Sequence, residues 1–131
     1  FGFFTGYQMT PRDMARCGWL WLNRGNWNGT QVVPSKWIER ATIVSTEILE
    51  NEPEDKHVYG LGFWCNDQGR IWPDLPRDSY AASGAGKQHI WVCPSLDLVV
   101  VQSSLANFGY VSTTRNKINK CESDLRVTLR T

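Results

Sequence analysis

From Thr10 the chain takes on a helical rhythm. Met14, Cys17 and Trp21 recur at spacings of three and four, with Leu20 beside them, which predicts an amphipathic helix running to about Asn23. The start of that helix is marked chemically as well. Thr10 suits the N-cap, Pro11 the first helical position, and Asp13 faces the positive helix end. Gly25 is expected as the C-cap. Asn28-Gly29 predicts a tight turn before a short extended Gln31-Val32-Val33. Pro34-Ser35 then opens a second helix through Trp37, Ile38 and Ala41. Ahead of Thr10, residues 1–9 are aromatic and Gly-interrupted, the pattern of an extended loop leaning on something apolar.

Residues 45–57 are polar and acidic and read as a solvated surface excursion. After them the pattern changes to short β-branched and aromatic runs broken by turn residues, predicting strands at 58–65, 79–83, 87–93 and 97–104. Leu98-Val99-Val100-Val101 is continuously apolar, as in a strand covered on both faces. From about Thr114, Ile118, Cys121, Leu125 and Leu129 return at spacings of 3, 4 and 4, predicting a last, covering helix. Two helices, an antiparallel sheet of short hairpins and a final helix make an α+β protein. With no internal repeat or dividing linker, residues 1–131 are expected to form a single domain.

Composition narrows the picture. The 131 residues suffice for one modest core, and 41% hydrophobic with 21% charged residues excludes a disordered chain. A formal net charge of +1 gives no reason to expect nucleic acid or an anionic membrane as partner. No apolar run approaches the roughly 20 residues of a membrane span. Seven tryptophans are many for this length, so they are expected in the core or at an interface. Trp19, Trp21, Trp27 and Trp37 could instead form a sugar-stacking platform, but their helix and turn positions favour packing. Four cysteines, at 17, 65, 93 and 121, include no Cys-x-x-Cys pair, so no metal or other cofactor is expected. They read as buried free thiols, with one or two disulfides as the alternative. The chain opens on Phe1 rather than Met, which points to a processed or cut chain and empties the lack of a targeting signal of meaning.

Several motifs fail on inspection. Gly86-Lys87 is no phosphate loop, because Ala81 and Gln88 occupy the positions of the first Gly and the Ser/Thr. Gly60-Leu61-Gly62 lacks the third glycine of a dinucleotide fingerprint, since Cys65 holds its place; close backbone packing is the better reading. Ser83 lies outside a Gly-x-Ser-x-Gly elbow. His57 is expected to be solvated, His89 to be a half-exposed strand residue, and Lys87 to be a surface charge rather than a general base. Asn28-Gly29-Thr30 matches a glycosylation acceptor, but the turn explains it. What remains is Tyr80 to Val101, where the small-residue run Ser83-Gly84-Ala85-Gly86 would let main-chain N–H groups approach a ligand.

Two blocks of the chain resemble the C-terminal part of the serine β-lactamase and penicillin-binding-protein superfamily, in the branch holding class C β-lactamases and their esterase and peptidase relatives. The first block is Thr10-Pro11-Arg12-Asp13-Met14-Ala15-Arg16 through Leu22-Asn23-Arg24-Gly25-Asn26-Trp27-Asn28-Gly29 to Val33-Pro34 and Trp37. The second is Tyr59-Gly60-Leu61-Gly62-Phe63-Trp64 followed by Tyr80 to Val101. With the final helix the resemblance covers nearly the whole chain, which implies a partial β-lactamase-like α/β domain. That family uses a Ser-x-x-Lys nucleophile, a Tyr-x-Asn or Ser-x-Asn, and a Lys/His-Thr/Ser-Gly wall. The first two are absent from these 131 residues.

The third falls on Ala82-Ser83-Gly84. By resemblance, Ser83 and Gly84 would line the substrate, Ser83 contacting a carboxylate or carbonyl, and the Ala85 N–H would be one of two oxyanion donors. Ala82 stands where Lys or His is usual, favouring an esterase or amidase branch over a β-lactamase, and Lys87 stands where Gly is expected. The resemblance implies a parent acting on a small ester or amide, periplasmic or secreted. The partner would be the N-terminal portion of the same fold or a self-associated copy, and this chain alone would be inactive. A stand-alone, non-catalytic binding or assembly domain is the competing expectation.

Overall fold

A computed structural model of the protein describes residues 9–103; all but Met9 of the expected aromatic loop at 1–9, and the expected helix from Thr114, lie outside the described residues. Helix α1 (Pro11–Leu22) forms where its caps predicted. The Thr10 hydroxyl oxygen accepts the Asp13 N–H at 3.2 Å and the hydroxyl donates to the Asp13 carboxylate at 2.6 Å. Thr10, and then Arg16 donating to the same carboxylate at 2.6 Å, hold the Asp13 carboxyl below its ordinary range. The helix ends one residue earlier than Gly25 would have it. Arg24 takes the left-handed conformation (φ 51°), its N–H donating to the Trp21 carbonyl while the Gly25 N–H donates to Leu20. That pair of bonds is a Schellman closure with arginine in the usual glycine place. Gly25 follows at φ +81°, pressed so close to the Val33 carbonyl that a Cβ would lie 2.1 Å from it.

Strands β1 (Asn26–Trp27) and β2 (Thr30–Gln31) pair across Asn28-Gly29, both at positive φ, the two-residue turn expected from an Asn-Gly step. Helix α2 (Ser35–Ala41) follows Pro34 and buries Ile38 and Ala41. The acidic excursion at 45–57 is partly ordered. Thr46–Asn51 forms helix α3, whose Ile48 packs onto the core, and Glu54–Lys56 makes a 3₁₀ turn.

The sheet runs β3 (Trp64–Cys65), β4 (Tyr80–Gly84), β5 (Gln88–Cys93) and β6 (Leu98–Gln102) in chain order, every pair antiparallel. Most of the strand expected at 58–65 is a turn. The Gly60 N–H bonds the Phe63 carbonyl, and a Cβ on Gly60 would meet the Ile43 and Ala41 carbonyls at 2.3 and 2.4 Å. That long-range crowding selects glycine at the bend, leaving Trp64 and Cys65 to pair with β4 and Tyr59 in a single bridge to Trp64. Strand β6 is the described edge of the sheet, and its five residues all stay partly exposed rather than covered on both faces.

Side-chain alternation divides the core between the two faces of the sheet. On one face Cys65, Tyr80, Ile90 and Val92 meet Met14, Phe63 and Val44. Phe63 takes Trp21 and Tyr80 edge-on, with centroids at 5.0 and 5.6 Å. Helix α1 approaches this face through Gly18, where a Cβ would lie 2.4 Å from Val99 Cγ1 and 2.9 Å from Ile90 Cγ2. On the other face Ala81, Trp91 and Cys93 pack with Trp72.

Asn66 holds the loop that supplies Trp72. Fully buried, it accepts the Trp72 N–H at 2.9 Å and directs its amide group at the carbonyls of Trp72, Leu75 and Pro76, at 2.9, 3.2 and 3.0 Å.

The tryptophans divide contrary to expectation. Trp72 and Trp91 are buried, but Trp19, Trp27 and Trp37 are 48%, 36% and 48% exposed, because α1, the β1–β2 hairpin and α2 turn those positions away from the sheet. Among the described residues the cysteines are free thiols, Cys65 and Cys93 buried and Cys17 half-buried; Cys121 lies outside. Burial pushes the Cys65 thiol up to about 12. No described helix is long and apolar enough to cross a membrane.

Candidate functional site

The β4–β5 hairpin carries every residue that the sequence singled out for substrate contact. Its register pairs Tyr80 with Val92 at the base and Gly84 with Gln88 at the tip, leaving Ala85, Gly86 and Lys87 as the loop. Both Gly86 (φ +74°) and Lys87 (φ +64°) sit in left-handed conformations. That explains the glycine expected at position 87, since a lysine there bears a Cβ penalty.

The outer edge of β4 is covered along only part of its length. Strand β3 pairs with Tyr80 and Ala81, and the Asn66 N–H donates to the Ser79 carbonyl at 3.0 Å. In an antiparallel ladder the backbone groups of alternate residues point the same way. Ser79 and Ala81 therefore face β3, and Ser83 points its N–H and carbonyl along the same side, beyond the end of β3. No described strand covers it there. Ser83, Gly84 and Ala85 are all exposed. The described packing does not demand glycine at position 84, where a Cβ would meet nothing closer than Gln88 Cβ at 3.5 Å.

Across the hairpin Ser83 faces His89, with Oγ 2.9 Å from Nδ1. His89 is not the half-exposed strand residue expected. It is 8% exposed, its Nε2 is buried without a partner among the described residues, and desolvation pushes its pKa down. The pairing partner six residues earlier, at Ser83, was the available sequence signal. The other histidine, His57, stands apart and is half-buried, with Nε2 2.9 Å from the Glu52 carbonyl.

A cleft of about 490 Å³ opens elsewhere, at the base of β4 beside Tyr80, Trp21, Ile38, Asp67 and Asp78. It lies on the α1 face, whereas Ser83 shares the opposite face with Ala81, so it is not continuous with the hairpin tip by strand geometry. Burial, then the Asp78 charge, raise the Tyr80 pKa and keep its phenol protonated. Asp78 is committed to the turn after β5, accepting the Ser95 N–H and hydroxyl at 2.6 and 2.9 Å. Among the described residues no cluster of three or more His, Cys, Asp or Glu is placed to hold a metal.

Helices packed on an antiparallel sheet make this an α+β chain, and its structural neighbour gives that architecture a β-lactamase-like form. Its likeness to two 6-aminohexanoate-dimer hydrolases supports the serine β-lactamase and penicillin-binding-protein superfamily. The chain is 31% identical over 114 residues to 6-aminohexanoate-dimer hydrolase from Paenarthrobacter ureafaciens, a match covering 79% of this chain and 26% of that protein. It superposes on a protein described as a 6-aminohexanoate-dimer hydrolase from Bacillus anthracis with a TM-score of 0.63 and 24% identity, over 92% of this chain and 29% of that one. It thus spans about a quarter of the length of the curated relative. No protein-family profile matches it.

Proposed function

We propose that this chain supplies one wall of the active site of a serine acyl hydrolase acting on a small ester or amide. The observation that carries the reading is the outer edge of β4 at Ser83, which no described strand covers, on a strand whose first half is locked into the core. In this reading Ser83 contacts a carbonyl or carboxylate oxygen of the substrate, and Gly84 lets the substrate lie close to the strand. The Ala85 N–H is one of two oxyanion donors. The other donor and the serine that forms the acyl-enzyme belong to a Ser-x-x-Lys element, which these 131 residues do not contain. The chain alone is therefore not a competent hydrolase.

The test has two arms. The 131-residue chain is mixed with a penicillin and with an activated ester, and burst acylation is followed by intact mass. No adduct is expected, and a stoichiometric burst would overturn the inactivity. The chain is then combined with a Ser-x-x-Lys-bearing N-terminal portion of the same fold, with and without Ala85→Pro, which removes the N–H. Loss of an oxyanion donor lowers kcat by about 10²–10³; an unchanged rate would overturn the assignment of Ala85.

The exposed Trp19, Trp27 and Trp37 favour a second reading, a non-catalytic assembly module. Sedimentation equilibrium decides it, since a monomer with these tryptophans open to a soluble quencher would discard that reading.

A further inference from the structure

We infer that His89 is a positioning residue that turns the Ser83 hydroxyl proton outward, so that the tip of β4 presents a hydrogen-bond donor to a carbonyl or carboxylate oxygen. The inference rests on the acyl-hydrolase reading of Ser83 and adds to it the residue that orients the hydroxyl.

The reasoning starts from the ring. Neutral imidazole carries one N–H, on Nδ1 or on Nε2. Nδ1 lies 2.9 Å from Ser83 Oγ, while Nε2 is buried with no partner among the described residues. A proton on Nε2 would be an orphaned buried donor, costly and rare in folded proteins. A proton on Nδ1 is used by Ser83, and only a lone pair stays bare. The structure therefore favours Nδ1–H donating to Ser83 Oγ. Ser83 accepts from behind, so its own O–H has to find its acceptor elsewhere, and the residue lies exposed at the open strand edge.

The same surroundings argue against a Ser–His nucleophile pair. Taking the Ser83 proton would create an imidazolium whose Nε2–H has no acceptor, in a site where burial already disfavours the charged ring. His89 orients the serine and does not activate it.

The test is made by NMR on the folded 131-residue protein. Long-range ¹H–¹⁵N spectra of the His89 ring should show Nδ1 as the protonated nitrogen and Nε2 as the bare one, and Ser83→Ala should move the Nδ1 signal. Hexanoate and hexylammonium then serve as matched probes with opposite hydrogen-bonding heads. Hexanoate should shift the Ser83 and Gly84 amides and hexylammonium should not. The hexanoate response should weaken about tenfold in His89→Phe, equivalent to about 1.4 kcal/mol. His89→Asn, whose amide can still donate, should recover part of it.

A ring protonated at Nε2 overturns the inference, and so does an equal response to the two probes. The predicted tautomer with no response to either probe leaves His89 as argued and overturns Ser83 as a substrate wall. Should His89→Phe fail to fold, the tautomer in the unmodified protein decides alone.

Discussion

Replacing Asn66 by aspartate changes one NH₂ into one oxygen and tests how the second face of the sheet is held. Three carbonyls, of Trp72, Leu75 and Pro76, lie 2.9 to 3.2 Å from the Asn66 amide nitrogen and share its two hydrogens. In Asn66→Asp those carbonyls face an acceptor, and of the side-chain bonds only that from the Trp72 N–H survives. Two lost hydrogen bonds cost about 2 kcal/mol, and a buried charge without a partner raises the total to roughly 3–5 kcal/mol at pH 7. Against a typical stability of about 5–15 kcal/mol this is a large fraction.

The introduced carboxyl would have its folded-state pKa raised above its unfolded value, so the folded state binds the proton more tightly. The stability of the variant is then greatest at low pH and falls as pH rises between the unfolded and folded pKa values. Urea unfolding followed by tryptophan fluorescence reads this directly, because Trp72 and Trp91 are buried. Midpoints for the parent and Asn66→Asp, compared from about pH 4 to pH 8, should diverge as pH rises. A deficit below about 1 kcal/mol at pH 7, or one that stays constant with pH, would refute the assignment of Asn66 as the anchor of this loop.

Other sites give sharper, smaller tests. Gly18→Ala improves helix propensity by about 1 kcal/mol, yet its Cβ would meet the stiff Val99 and Ile90 side chains, so a net loss of about 1–2 kcal/mol in thermal unfolding is expected; a stabilised variant would show that α1 sits further from the sheet. Lys87→Gly relieves a left-handed lysine and should stabilise by about 0.5–1 kcal/mol, while a destabilised variant would mean the lysine stem contributes more than the strain. The His89 pKa is depressed by burial, so its stabilising contribution is complete above the ordinary 6.5 and is lost as pH falls through the folded value. His89→Phe should flatten that acid limb, and an unchanged limb would place the titration elsewhere. Cys65, buried with its thiol pushed up to about 12, should resist iodoacetamide at pH 8 until the protein is unfolded, as read by peptide mass; rapid native labelling would contradict its burial.

Local chemistry was legible where neighbours in sequence decide the outcome. Thr10, Pro11 and Asp13 started α1 as their types require, and Asn28-Gly29 made its turn because a two-residue connection needs two positive φ angles. The hairpin from Tyr80 and the placement of Ser83-Gly84 at its exposed end were likewise readable. What was not readable came from distant parts of the chain. Gly60 is glycine because carbonyls of Ala41 and Ile43 crowd it, which no window around residue 60 contains. Asn66 resembles any polar loop residue until Trp72, Leu75 and Pro76 fold back onto it. Periodicity makes His89 half-exposed, since it cannot tell a central strand from one closer to solvent, whereas the residue is buried. Residue type and helix or turn position favour packing for Trp19, Trp27 and Trp37, but neither says which way an element is rotated.

The uneven cover of β4 means that the hairpin has a handle and a tip. Its base is fixed by β3, Asn66 and both core clusters, and Ser83 is tied to the buried His89, while positions 84 to 87 touch little that the core depends on. Residues at the tip can therefore be exchanged as a short cassette, altering what the strand end recognises while the fold beneath keeps its register. Lys87 in a glycine's conformation is a trace of that freedom: the tip tolerates a strained residue that the base, with Ala81 and Val92 closed in on every side, could not accommodate.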